Sequence, residues 1–204
     1  MRNRHTHVGV CKGALGELFQ GPSTHTENEI VVVSSLIPKY SWAYFIPDVD
    51  NHNSHPNRAS LLARSDRRKS FKALDLYCQL NQLPWPQGQR RFKSDLKVAR
   101  GMASSTADIV SILRCAASYF GSPLGNDEII RILAEIERSD SVFLDRLALF
   151  CSSRHQIINQ FDKMPPLYAL YMHETNTVET DGTRQTLVDY YRQNRTHYSQ
   201  LYSR

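Results

Sequence analysis

The residues best suited to chemistry lie in one short stretch, Val98-Ala99-Arg100-Gly101-Met102-Ala103-Ser104-Ser105-Thr106-Ala107-Asp108. Gly101 lets backbone come close to a ligand, and Ser104 and Ser105 supply two adjacent hydroxyls. Ala103, Thr106, Ala107, Val110, Leu113, Ala117 and Phe120 then recur at helical spacing. The stretch therefore opens an amphipathic helix over 103–120, closed by Gly121-Ser122-Pro123. The first turn of a helix has unpaired N–H groups and a positive dipole end, so the combination suits a phosphate. The same residues also fit an ordinary capped core helix, because serine is a favoured N-cap. The loop is not of the Walker A type, since no G-x-x-x-x-G-K-[ST] pattern is present.

Several elements must position this loop. Phe92, Ser94, Leu96 and Val98 alternate with Arg91, Lys93, Asp95 and Lys97, which predicts a half-buried strand running into it. Residues 8–11 read as a short strand, followed by an irregular, glycine-punctuated segment that carries Glu17 and Gln20. Residues 29–35 and 40–46 are rich in Val, Ile, Trp, Tyr and Phe and predict two strands of a hairpin turned at Leu36-Ile37-Pro38-Lys39. A helix is expected over about 71–83, ended by Pro84-Trp85-Pro86. Its basic lead-in, residues 64–72, reads as a solvated face, although a basic first turn opposes the helix dipole. Residues 126–136 read as a helix capped by Asn126 or Asp127, whose C-terminal end delivers Glu137 and Asp140. The apolar run 142–150 is expected to continue as helix, 167–172 as a strand, and 184–202 as a helix of weak periodicity.

Composition narrows the class. The chain has 204 residues, of which 41% are hydrophobic and 22% charged, enough for one globular domain with a real core. No apolar run reaches the roughly 18 residues of a membrane span, and no apolar stretch follows the basic N-terminus, so the expected compartment is the cytoplasm. Four cysteines lack C-x-x-C spacing and read as small buried hydrophobes. His52-x-x-His55, beside Asp48 and Asp50, and His5-x-His7 read as solvated loops rather than metal sites. The net charge of +5 is mild for a nucleic-acid binder and suits an anionic nucleotide.

Residues 101–107, G-M-A-S-S-T-A, resemble the G-L-x-S-S-x-A loop of the GHMP small-molecule kinases. The longer run through Ile109 is similar to the L-threonine kinase branch of cobalamin synthesis. Two further segments agree with that branch. Residues 11–21, C-K-G-A-L-G-E-L-F-Q-G, look like its C-P-x-x-x-G-E-L-x-Q-G signature, and residues 136–141, I-E-R-S-D-S, like its I-E-x-T-D-S segment. Lys12 stands where the branch has proline, and Lys97 replaces the loop proline.

The resemblance implies an α+β fold of the GHMP-kinase N-terminal type, a mixed sheet with helices on one side, over residues 1–172. Residues 173–204 are then a short helical C-terminal remnant, because no third glycine-rich motif follows Leu170 and the second domain is largely missing. It implies ATP held by Arg100, Gly101, Met102, Ala103, Ser104, Ser105 and Thr106, and Mg²⁺ held by Ser105 and Glu137. Asp140 would act on the acceptor hydroxyl, with Asp108 as a lesser candidate, and Glu17 and Gln20 would line the acceptor pocket. The implied acceptor is a small hydroxyl compound, with L-threonine favoured, giving O-phospho-L-threonine. The alternative is a catalytically inactive, shortened relative that binds nucleotide or a partner. A homodimer or a partner chain would cover the missing domain.

Overall fold

The computed structural model describes residues 5–23, 29–48, 58–64, 66–163, 166–169 and 184–202. Five strands form one sheet: β1 (His7–Pro22), β2 (Ile30–Pro47), β3 (Gly88–Ser94), β4 (Ala148–Cys151) and β5 (Gln156–Gln160). All the strand pairs are antiparallel, in the order β1-β2-β4-β5, with β3 also paired to β2. The helices are α1 (Arg58–Arg64), α2 (Arg68–Leu80), α3 (Ser104–Phe120), α4 (Asn126–Ala134), α5 (Arg184–Gln193) and α6 (Arg195–Tyr202).

Strand β2 is the spine. The hairpin expected within it does not form: residues 30–47 are one strand, paired along its length with β1. Pro38 is tolerated because it sits at a bulge. Lys12 pairs with Tyr40 while Gly13 pairs with Ile37, so Pro38 and Lys39 face no partner on β1 and no ladder hydrogen bond is lost. The segment expected to be irregular after Cys11 is likewise strand, with register shifts that absorb its extra residues. The strand expected to reach Val98 stops at Ser94. One more backbone bond, Asp95 N–H to the Tyr40 carbonyl at 2.9 Å, marks where the chain leaves the sheet.

The apolar run 142–150 is not a helix. It makes a single 3-10 turn, Ser141–Phe143, and then β4, since a short apolar run carries no period to distinguish the two. Helix α4 starts as expected, but its N-cap is Gly125, with no side-chain cap bond from Asn126 or Asp127. Helix α2 covers the expected region and stops before Pro84. The long C-terminal helix is broken at Asn194 into α5 and α6. Residues 167–169 are not strand, and 170–172, like His52 and His55, lie outside the described residues. His7 instead packs edge-on against Tyr119. All four cysteines are free and buried, and no described helix is long and apolar enough to cross a membrane.

The core lies between the sheet and helices α2 to α4, around Phe45, Phe71, Tyr77, Ile109, Leu113, Ile132, Phe143 and Phe150. A second, small cluster joins Val188 and Tyr191 of α5 to Ile30 and Val32 of β2. Val31 and Val33 alternate with those two residues and are buried as well, so both faces of β2 are covered at this end.

Helix α3 lies directly on β1. A Cβ on Gly9 would stand 2.0 Å from the Ser111 carbonyl oxygen and 2.3 Å from the Cys115 nitrogen, both helix backbone. The Gly9→Ala variant is expected to lose about 2–3 kcal/mol, since neither backbone can yield cheaply. A urea melt would show this as a lowered midpoint at unchanged slope.

Candidate active site

The loop between β3 and α3 hangs on two buried anchors, Leu96 and Met102. The Leu96 N–H donates to Ser94 Oγ at 3.1 Å, and the Lys97 N–H to Met102 Sδ at 3.3 Å. Between the anchors the chain turns outward, leaving Val98 exposed and Arg100 half-buried. Ala99, Gly101 and Ala103 adopt left-handed φ angles of 56°, 66° and 51°, alternating with residues of negative φ. Such alternation turns successive N–H groups into a concave anion-binding surface. Strand β1 holds the loop from behind: Ala14 N–H donates to the Met102 carbonyl at 3.2 Å and Gly16 N–H to the Gly101 carbonyl at 3.1 Å.

The start of α3 is not capped in the ordinary way. Its N-cap, Ala103, makes no side-chain cap bond. The first helical bond runs from the Ala107 N–H to the Ala103 carbonyl, 3.0 Å, so the N–H groups of Ser104, Ser105 and Thr106 have no intrahelical acceptor. A Cβ built on Gly101 meets nothing within 4 Å, so open space lies in front of the loop.

Glu137 closes the site from the stretch after α4. Its N–H donates to the Leu133 carbonyl at 3.0 Å, and its own carbonyl accepts from Nε2 of the buried His155 at 2.8 Å. Its carboxylate accepts the Ser105 hydroxyl on Oε2 at 2.8 Å and the Thr106 hydroxyl on Oε1 at 3.4 Å, and Lys69 Nζ pairs with the same Oε2. Thr106 Oγ1 also accepts the Asp140 N–H at 3.4 Å. The first turn of α3 and residues 137–140 are thus stitched together, although 31 to 34 residues apart in sequence.

Asp140 is largely buried, and its carboxyl is pushed up to about 6, chiefly by burial and then by the nearby Glu17 and Glu137 charges, with Arg138 opposing. Glu17 sits at the mouth of this region, open to solvent on one side. It is crowded enough on the other that burial raises its carboxyl too. Ser139 Oγ, next to Asp140, is buried with no hydrogen-bond partner among the described residues. Gln20 lies further along β1, and its carbonyl accepts the Tyr191 hydroxyl of α5 at 3.3 Å. Asp108 is tied elsewhere: it pairs with Arg67 and accepts the Ser41 hydroxyl.

The basic run that leads into α2 is largely solvent-exposed, as expected, yet three of its cations also make specific contacts. Arg67 reaches Asp108 while stacking 4.9 Å over the Phe92 ring, Lys69 reaches Glu137, and Lys72 donates to the Glu135 carbonyl at 2.6 Å. Packing of α2 beside α3 and α4 brings Arg67 and Lys69 onto carboxylates that compensate them and Lys72 onto a backbone carbonyl. The unfavourable placement of positive charge at the start of α2 was the available signal. Lys69 and His155 are the site neighbours that sequence reasoning missed.

The donor set fits a hard divalent cation. Ser105 and Glu137 offer oxygen ligands only. Among the described residues no group of three or more His, Cys, Asp or Glu gathers to hold a metal alone. Such an ion would need phosphate oxygens and water to complete its shell, as Mg²⁺ does in nucleotide sites.

Residues 69–146 match the sequence profile of the GHMP kinases N terminal domain. The chain is 30% identical over 176 residues to an L-threonine kinase of Citrobacter freundii, covering 85% of this chain and 56% of that protein. It is 25% identical over 181 residues to an L-threonine kinase of Salmonella typhimurium, covering 88% and 56%. The chain thus spans little more than half the length of these relatives. Among solved structures it superposes on the mevalonate kinase of Methanococcus jannaschii with a TM-score of 0.56 at 11% identity, over 76% of this chain and 55% of that one. That likeness speaks for the fold, which is α+β with an antiparallel sheet and packed helices. On the matched profile and this architecture, the chain carries a domain of the GHMP-kinase N-terminal type.

Proposed function

We propose that the protein is an ATP-dependent small-molecule kinase that phosphorylates a hydroxyl group, with L-threonine as the acceptor and O-phospho-L-threonine as the product. The observation that carries this reading is the meeting of the Ser105 hydroxyl and the Glu137 carboxylate, 2.8 Å apart, at an uncapped helix start behind a left-handed loop. The threonine preference rests on the two L-threonine kinases to which the chain is similar.

The residues divide the work. Backbone N–H groups from Gly101 to Thr106 hold the phosphates and orient the terminal one. Ser105 and Glu137 would hold Mg²⁺, which when bound supplies charge neutralisation on the phosphate oxygens. Glu17 and Gln20 face the acceptor from β1. Asp140 takes the proton of the acceptor hydroxyl as its oxygen bonds to the terminal phosphorus and the bridging oxygen leaves with ADP. A carboxyl pushed up to about 6 is ionised at neutral pH and a better base than an exposed one.

ADP release by the purified chain with Mg·ATP is expected to depend on L-threonine. Ser105→Ala should lower kcat/KM roughly 100-fold by removing a preorganised oxygen ligand. ATP binding without turnover would instead favour an inactive nucleotide-binding relative. No binding at all would reduce the loop to a helix start.

The pH dependence has a definite sign. Protonation of Asp140 below about 6 should lower kcat/KM about tenfold per pH unit. Stability runs the other way. The native state holds this proton more tightly than the unfolded chain, whose Asp titrates near 3.8, so the buried charge destabilises the fold progressively as pH rises from about 4 to about 6 and fully above it. Asp140→Asn should therefore stabilise the fold by up to about 3 kcal/mol at pH 8, seen as a raised Tm, and not at pH 3.5, while abolishing most turnover. Thermal melts at the two pH values read this directly; an equal shift at both would discount the buried charge.

A further inference from the structure

Lys69 and Ser105 converge on the same atom, Oε2 of Glu137. This atom belongs to the proposed cation site, so the inference rests on that reading of Ser105 and Glu137. A carboxylate oxygen that accepts both an ammonium and a hydroxyl is charge-balanced before any ligand arrives. A divalent cation that takes Glu137 must compete with the Lys69 ammonium, because two cations on one oxygen repel each other. Lys69 has room to give way, since its side chain is 57% exposed and rides on a flexible four-carbon stem. Two of the neighbouring cations are committed elsewhere, Arg67 to Asp108 and Lys72 to the Glu135 carbonyl.

We infer that Lys69 is a phosphate-binding residue that works by exchange. In the nucleotide-free protein it neutralises Glu137. When nucleotide and divalent cation arrive together, the cation takes over Glu137 and the Lys69 ammonium turns to a phosphate oxygen of the nucleotide. The geometry favours this: α2 presents Lys69 from its first turn, and its ammonium meets the same Glu137 oxygen as the hydroxyl of Ser105 in the first turn of α3, where the N–H groups of Ser104 to Thr106 would hold that phosphate. The exchange keeps a single positive charge in use on both sides of the binding step. It also makes a divalent cation without nucleotide a poor ligand, because it must displace Lys69 with nothing to receive it.

A merely superficial ion pair, typical of exposed lysines, makes a different prediction. The test uses Mn²⁺ as probe in the full chain, read without ATP by the loss of the free-ion electron paramagnetic resonance signal and with ATP by the enhanced water-proton relaxation of protein-bound Mn²⁺·ATP. In Lys69→Met, Mn²⁺ alone should bind about threefold to tenfold more tightly, because Glu137 has lost its internal counter-charge. Mn²⁺ with ATP should bind about tenfold more weakly, because a charge-assisted phosphate contact is gone. Lys69→Arg should restore most of both. The opposite signs are the diagnostic result. If both affinities move together, or neither moves, Lys69 plays no part in exchange and the inference is overturned. Glu137→Gln separates this failure from that of the cation site. If it weakens Mn²⁺·ATP binding while Lys69→Met shows no opposed effects, the exchange alone falls. If Glu137→Gln leaves Mn²⁺·ATP binding intact, the cation site and the exchange fall together.

Discussion

At Gly9 the backbone of β1 touches the backbone of α3, and this contact fixes where the helix begins as well as where it runs. Arg114, one residue before Cys115, reinforces it by donating to the Val10 and Phe143 carbonyls, each at 2.8 Å. A helix held at its middle by a strand has little freedom at its N-terminus. Four residues beyond Gly9, the same strand meets the loop: a Cβ on Gly13 would lie 2.8 Å from the Met102 carbonyl oxygen. The two β1 amides that follow, at Ala14 and Gly16, then take the carbonyls of Met102 and Gly101. The loop is thus shaped by its docking on rigid elements, which is how a site of short backbone amides is kept preorganised.

This arrangement was partly legible in the sequence. The loop and α3 were, because a glycine, two serines and an apolar helical period are local signals. The run of β2 through Pro38 was not, since nothing local says that a proline will fall opposite a register shift in another strand. The segment 142–150 misled for a related reason: a short apolar run packs equally well as helix or strand, and only its pairing with β2 and β5 decides. The nearness of Ser105 and Glu137 is a tertiary fact. Family resemblance suggested both residues, whereas no spacing along the chain contains their 2.8 Å contact. Lys69 was hidden for the same reason, although its awkward position at the positive end of α2 marked it as a charge in need of a carboxylate.

The C-terminal helices bear on the site through one strand. Tyr191 packs on Ile30 and Val32 and its hydroxyl bonds the Gln20 carbonyl, so α5 buttresses the part of β1 that carries Glu17 and Gln20. Glu17 in turn belongs to the electrostatic surroundings of both Tyr191 and Asp140. The wall proposed for the acceptor is therefore coupled to α5 by packing and to Asp140 by charge. Movement of α5 would reach both.

The two carboxylates of the 137–140 segment are held in opposite kinds of surroundings. Glu137 presents its carboxylate to an ammonium and two hydroxyls. Asp140, three residues on, meets burial and two like charges, which disfavour its ionised form. Three residues of chain without helix or strand separate a side chain that meets the starts of α3 and α2 from one that is desolvated. In the reading proposed above, these different surroundings separate a cation ligand, Glu137, from a proton acceptor, Asp140. The separation also explains why the segment needs its stitching. Thr106 accepts the Asp140 N–H while donating to Glu137, so one hydroxyl touches both the Glu137 carboxylate and the Asp140 backbone. If that one hydroxyl is lost, the Asp140 N–H loses its tie to α3, while Glu137 keeps the Ser105 hydroxyl.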